Sequence, residues 1–362
     1  MSSRPLIPRE VLFGNPDFSQ LQLSPDGKYV SYLAPHHGVM NIWVQEFGKP
    51  ETARAVTHDK KQGYQGYHWT YAPATLLFSQ DRDGDENFGI YTLNVENNEL
   101  SEILPPGKST SYISEFSHLR PNEVVIATNE RDPSYFDYKV VHLQSKKQTV
   151  IFTNTEQFAA IFFDWNYNPI VASKSLNDGS SDVYLWDNAS ATFLRKDHVP
   201  FEDGMGTHIF ACSPDGTKIY CADSRGRDTA ALVEWNTTTD KSTVLAESPK
   251  SDFAMIKLHP KSGELLLGHT SYLTHEKHYF NSEFKTHIEK IEKTVGAMIS
   301  LEVISLDGQK WVVSLLTPQR PFAYYFYDTT TEKLSEPMHT RKTLVPYADS
   351  LHELTPLEIK SR

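Results

Sequence analysis

Leu21-Gln-Leu-Ser-Pro-Asp-Gly27, continued by Lys28-Tyr-Val-Ser-Tyr-Leu33, is the stretch from which the fold can be read. Apolar residues alternate on both sides of a Pro-Asp-Gly turn, so the segment reads as a strand, a tight turn and a second strand. The same grammar returns at Phe210-Ala-Cys-Ser-Pro-Asp-Gly216 before Lys218-Ile-Tyr-Cys221, and at Ser305-Leu-Asp-Gly308 before Trp311-Val-Val-Ser-Leu315. Leu258-His-Pro-Lys-Ser-Gly263 before Leu265-Leu-Leu267 is a looser copy.

The apolar residue ahead of each turn serves as an anchor. Leu23, Trp69, Phe116, Phe163, Cys212, Leu258 and Ile304 then follow one another at 46, 47, 47, 49, 46 and 46 residues. A period of about 40–50 residues is that of four-stranded propeller blades. Third strands read at Asn41–Val44, Gly89–Leu93, Lys139–Leu143, Asp182–Trp186, Ala230–Trp235 and Ala323–Tyr327, and fourth strands at Thr149–Phe152 and Ser242–Leu245. An array of immunoglobulin-like sandwiches also has short strands, but seven near-equal periods without linkers favour a propeller.

The expectation is therefore an all-β chain, a seven-bladed β-propeller of four-stranded blades over residues 1–350. Blades fall near 17–61, 62–107, 108–155, 156–203, 204–249, 250–296 and 297–345, and 351–362 reads as the start of a linker. The sixth repeat departs from the rule: no third strand is legible after Leu267. Phe284, Ile288, Ile291 and Val295 instead lie at helical spacing, with Gly296 to end the helix, so an amphipathic helix is expected near 282–295. It is read as cover for a bare blade edge rather than as a lid or docking arm.

Composition narrows the function. The 362 residues carry 46 acids against 35 bases, a net charge of -11, and 12% aromatics. That balance disfavours nucleic acid as a partner, because phosphate contacts need clustered Lys and Arg. No run approaches the ~18 apolar residues of a membrane helix. Two cysteines, Cys212 and Cys221, are too few for a disulfide scaffold and are expected to be free, which suits a cytoplasmic setting. A leader removed ahead of Met1 would leave no trace.

No Gly-x-Ser-x-Gly occurs, nor a dinucleotide or phosphate loop, nor His-Glu-x-x-His. The chain as it stands is thus read as no enzyme, with no catalytic residue, metal or cofactor. The sharpest polar cluster, Asp81-Arg-Asp-Gly-Asp-Glu-Asn87, opens like a calcium loop, but Glu86 and Thr92 stand where an EF-hand needs Gly and Glu. It reads as a solvated hairpin loop of the second blade. Asp81, Asp83, Asp85, Glu86 and Asn87 are its candidate substrate-gating residues, able to meet a peptide ammonium group. His36-His37, His275 and His278 are read as surface or hydrogen-bonded histidines, since a third ligand and a fixed frame are not visible in the sequence.

Longer stretches resemble a known family. Pro5-Leu-Ile-Pro-Arg-Glu-Val-Leu-Phe-Gly-Asn-Pro16, Leu23–Pro35 and Asn41-Ile-Trp-Val44 are similar to the start of prolyl oligopeptidase family enzymes, in their acylaminoacyl-peptidase and dipeptidyl-aminopeptidase branch. Asp83-Gly-Asp-Glu-Asn-Phe88 with Ile90-Tyr91, the helix ahead of the last blade, Tyr325-Phe-Tyr-Asp328 and the closing Leu354–Arg362 match that family's layout. The resemblance implies an N-terminal propeller that gates short peptides and docks a C-terminal α/β-hydrolase domain, which carries the serine-peptidase triad and lies outside this chain. The other reading is a stand-alone propeller acting as a protein–protein or peptide-binding scaffold. The sequence leaves oligomeric state open.

Overall fold

In a computed structural model the described residues are 6–81, 84–107 and 109–360. Seven antiparallel sheets follow one another along the chain, and strands within each pair in chain order. They are the blades of a seven-bladed β-propeller. Blade 1 is Ser19–Leu23, Tyr29–His36, Val39–Glu46 and Lys49–Ala55, and blade 2 is His68–Trp69, Thr75–Gln80, Gly89–Asn94 and Leu100–Leu104. Blade 3 is Ser111–Phe116, Glu123–Asp132, Tyr135–His142 and Gln148–Phe152; blade 4 is Ala160–Phe163, Pro169–Ser175, Ser181–Asp187 and Thr192–Val199. Blade 5 is His208–Cys212, Lys218–Asp223, Ala231–Asn236 and Lys241–Ala246.

The last two blades deviate. Blade 6 has three strands, Phe253–Leu258, Leu265–Ser271 and His275–Tyr279. The third strand that the sequence hides is there, but its side chains His275 and Glu276 are exposed and the rest half-buried, so no apolar alternation marks it. Blade 7 has Ile299–Ile304, Lys310–Leu315, Ala323–Asp328 and Lys333–Leu334, with Met338–His339 added to its third strand as a fifth.

Why each period begins at its anchor is visible in the turns. The residue after every anchor is polar: Ser24, Thr70, Ser117, Asp164, Ser213, His259 and Ser305. Its side chain accepts a backbone N–H of the turn in all seven, from Tyr29, Ala72, Leu119, Asn166, Lys218, Lys261 and Lys310. In the three Asp-Gly copies the serine hydroxyl also donates to the turn aspartate, and the glycine takes a left-handed φ of 68°, 68° and 79°. These bonds satisfy backbone N–H groups that bend away from the ladder.

The chain divides into two compact units, one of residues 1–78, 92–101 and 282–362, the other of 79–91 and 102–281. In the first, the first and last blades are neighbours: Leu306 N–H donates to Pro25 O at 2.7 Å, and Lys310 Nζ to Gly27 O at 3.2 Å. Phe18, Leu21, Leu23, Val30, Val312 and Phe326 form one buried cluster between them. The expected helix spans Ser282–Val295 and buries Phe284, Ile288 and Ile291. Phe284 packs on Trp311 with ring centroids 5.0 Å apart, and His287 Nδ1 lies 2.8 Å from the Tyr327 hydroxyl, so its apolar face covers blade 7. In the second unit, clusters around Tyr138, Phe158 and Phe163, around Val171 and Ile219, and around Leu232 and Phe253 cement successive blades.

Candidate functional site

Within each blade, the turns from first to second strand and from third to fourth share one end of the sheet. The loops from second to third strand and the exits from the fourth share the other. The polar features of interest sit on the second end of their own blades.

The acidic stretch lies there, between Thr75–Gln80 and Gly89–Asn94. Asp83 lies outside the described residues. Asp81 Oδ2 accepts the Glu86 N–H at 3.1 Å, Asp85 Oδ1 accepts the Asn87 N–H at 3.1 Å, and Thr110 Oγ1 donates to Glu86 O at 3.2 Å. Gly84 and Glu86 take φ of 83° and 58°, which folds the loop back on itself. The side chains of Asp85 and Glu86 are exposed, and those of Asp81 and Asn87 half-buried. The loop thus presents carboxylates to solvent on a backbone that they themselves brace.

A second charged set, not singled out in the sequence, occupies the same end of blades 4 and 5. Arg225 donates through Nε and Nη2 to both oxygens of Asp223, at 2.9 and 2.8 Å, and through Nη1 to Asp197 Oδ2 at 2.7 Å and His198 O at 3.1 Å. Beside it, Asp182 takes His198 Nδ1 at 2.8 Å and Arg195 Nε at 2.7 Å. Burial pushes the Asp223 and Asp182 carboxyls up, but their hydrogen bonds outweigh it and hold both below the usual carboxylate range. Asp197, Asp223 and Arg225 line a cavity of about 410 Å³ with Ser175, Ser180 and His208.

Another cavity, of about 700 Å³, lies between the first and last blades, walled by Tyr32, Trp43, Phe326, Met338 and His339. Trp43 Nε1 and His339 Nδ1 are buried there with no hydrogen-bond partner among the described residues.

The histidines are placed unequally. His275 and His278, three apart on a strand, point to opposite faces, and His278 Nε2 is 2.9 Å from Thr270 Oγ1. This hydroxyl–imidazole pair offers no nucleophile to a substrate, because Thr270 is wholly buried. His36 and His37 are joined by His58, which the sequence reading did not single out; His36 Nε2 lies 3.1 Å from His58 Nδ1. Their frame is Asn41, wholly buried: its amide donates to His36 O at 3.0 Å and Asp59 O at 3.1 Å, while its oxygen accepts Asp59 N–H at 2.8 Å and Thr57 Oγ1 at 3.0 Å. Partial burial and the facing His37 and His58 hold His36 below its usual value.

Cys212 and Cys221 are both free. Burial raises the Cys212 thiol strongly and that of Cys221 to about 12, so neither is a ready thiolate.

Seven antiparallel blades, most of them four-stranded, define a β-propeller domain. The chain is 33% identical to dipeptidyl aminopeptidase BIII of Pseudoxanthomonas mexicana, over 99% of this chain and 51% of that protein. It is 25% identical to dipeptidyl peptidase family member 6 of Caenorhabditis elegans, over 94% of this chain and 48% of that protein. A solved structure from a study of two prolyl endopeptidases superposes with a TM-score of 0.57 at 13% identity, over 90% of this chain and 50% of that one, a likeness of fold. No protein-family profile matches the chain. The chain is thus a β-propeller domain related in sequence to dipeptidyl peptidases and similar in fold to a prolyl endopeptidase. It spans about half the length of the curated relatives it matches.

Proposed function

We propose that the chain is the non-catalytic propeller of a serine peptidase that removes dipeptides, and that it admits short peptides and docks the α/β-hydrolase domain. The observation that carries the reading is one of length: relatives named for dipeptidyl peptidase activity match this chain almost from end to end, yet are about twice as long. The sequence contains no Gly-x-Ser-x-Gly, which supports a nucleophile in the part of the relatives that this chain does not span. The exposed Asp85 and Glu86 carboxylates supply a field that attracts the ammonium group of a short peptide, in keeping with the net charge of -11.

The test compares this chain alone with the chain joined to its hydrolase half, on dipeptidyl p-nitroanilides. Turnover is expected only from the joined protein, and Asp85→Asn with Glu86→Gln is expected to raise KM several-fold at low salt with kcat unchanged. Turnover by the repurified chain alone would overturn the non-catalytic reading, and an unchanged KM would overturn the role of the loop.

A further inference from the structure

Blade 1 brings three imidazoles to one point. His36 ends its second strand, His37 occupies the turn that follows at φ 55°, and His58 lies just past the fourth strand. One ring nitrogen from each lies within 4.8 Å of the others. Zinc bound tetrahedrally at about 2.0–2.1 Å holds its ligand nitrogens about 3.3 Å apart. The 3.1 Å between His36 Nε2 and His58 Nδ1 is already close to that spacing. The His37 ring centroid is 3.9 Å from that of His36, so a small rotation of an exposed side chain closes the set.

We propose that His36, His37 and His58 bind one divalent transition-metal ion of the zinc class, with water completing the shell. Three nitrogen donors without a carboxylate select zinc, nickel, cobalt or copper over calcium and magnesium. Asp59 is not the missing fourth ligand, because its Oδ2 is held by the N–H groups of Gln62 and Gly63 at 3.0 and 2.5 Å. The support such a site needs is present. Asn41 fastens the His36 backbone to that of Asp59, so the ligand-bearing segments are held together before any ion arrives, and the ordering cost of binding is small. A bound ion staples the second hairpin of blade 1 to the segment that leaves its fourth strand. This site is independent of the peptidase reading.

The test is a zinc titration of the chelator-stripped chain against a chromophoric competitor, followed by thermal melting with and without zinc. One ion per chain is expected, with a higher melting temperature. His37→Ala and His58→Ala should each weaken binding by at least about tenfold and abolish the thermal shift, whereas His275→Ala should change neither. His58→Gln separates the alternatives, since glutamine keeps a hydrogen bond to His36 but is a poor zinc ligand. Retained binding in His58→Gln and His58→Ala, or less than half an ion per wild-type chain, would overturn the proposal. Circular dichroism confirms that each variant is folded.

Discussion

Replacing Gly263 by alanine tests why the repeat ends its turns in glycine. Gly263 has φ +70°, and a Cβ there would stand 2.4 Å from both Cδ and Cγ of Pro214, in the turn of the preceding blade. Gly226 has nearly the same φ, +67°, but a Cβ would meet nothing within 4 Å. Alanine in the left-handed region costs about 1 kcal/mol, so Gly226→Ala measures the backbone effect alone. At Gly263 the pyrrolidine ring cannot swing aside as the end of a flexible side chain would. Forcing it back adds about 1–3 kcal/mol, and the total is about 2–4 kcal/mol. For a unit of this size each kcal/mol lowers Tm by about 3 °C, so Gly226→Ala should melt about 3 °C below wild type and Gly263→Ala roughly 6–12 °C below. Differential scanning calorimetry reads both, and the double variant Gly263→Ala/Pro214→Ala should recover part of the loss. If the two glycine variants melt within a degree of each other, the turns are not seated blade on blade as described.

Burial pushes the Glu115 carboxyl, on the first strand of blade 3, up to about 7. The folded chain then holds a proton that the unfolded chain releases, so this group's contribution falls as pH rises from about 4.5 through 7. Glu115→Gln should accordingly stabilise the protein by about 1–3 kcal/mol at pH 8 and hardly at all at pH 4.5, as urea melts at the two pH values would show. His269 runs the other way. Burial, with Lys277 nearby, lowers it to about 4, so stability is lost as pH falls from about 6.5 toward 4, and His269→Gln should flatten that acid limb. Arg225→Lys keeps the charge but loses the fork on Asp223 and the reach to Asp197; a loss of about 1–3 kcal/mol is expected, and a lysine variant as stable as wild type would refute the bidentate account.

The fold was legible where one physical cause left one pattern. Turn chemistry and apolar alternation recur with the blade period, so the anchors Leu23 to Ile304 each fall on the last residue of a blade's first strand. The helix Ser282–Val295 was legible from its apolar spacing alone. What stayed hidden lacked such a pattern. His275–Tyr279 pairs as a strand through its backbone, and its polar side chains carry no alternation. The polar residue after each anchor could have been found by aligning the seven periods, because it is polar in all seven. His58 could not, since 22 residues separate it from His36 in sequence and no spacing rule brings the end of the second strand to the segment beyond the fourth. The grip of Arg225 on Asp197 spans 28 residues and two blades, with no spacing rule to announce it.

The two ends of each blade are under different constraints. At the anchor end the turns must satisfy their own backbone and leave room for a neighbour: Gly216 approaches Ile170, Gly263 approaches Pro214 and Gly27 approaches Lys310, each closer than a Cβ would tolerate. Residue choice there is spent on closure and packing, which is why the same few residue types return. At the opposite end no shared solution repeats. Blade 1 has an asparagine clamp and three histidines, blade 2 an acidic loop, blade 3 the Arg131–Asp137 pair with Asn154, and blades 4 and 5 the Arg225 set. Each set uses different side chains, and some, like Arg225 and Thr110, reach a loop of the neighbouring blade. An end whose loops are held by contacts that do not repeat from blade to blade can alter its chemistry without disturbing the sheets, and that freedom is the physical reason for seeking both the proposed peptide-attracting loop and the proposed metal site there rather than among the repeated turns.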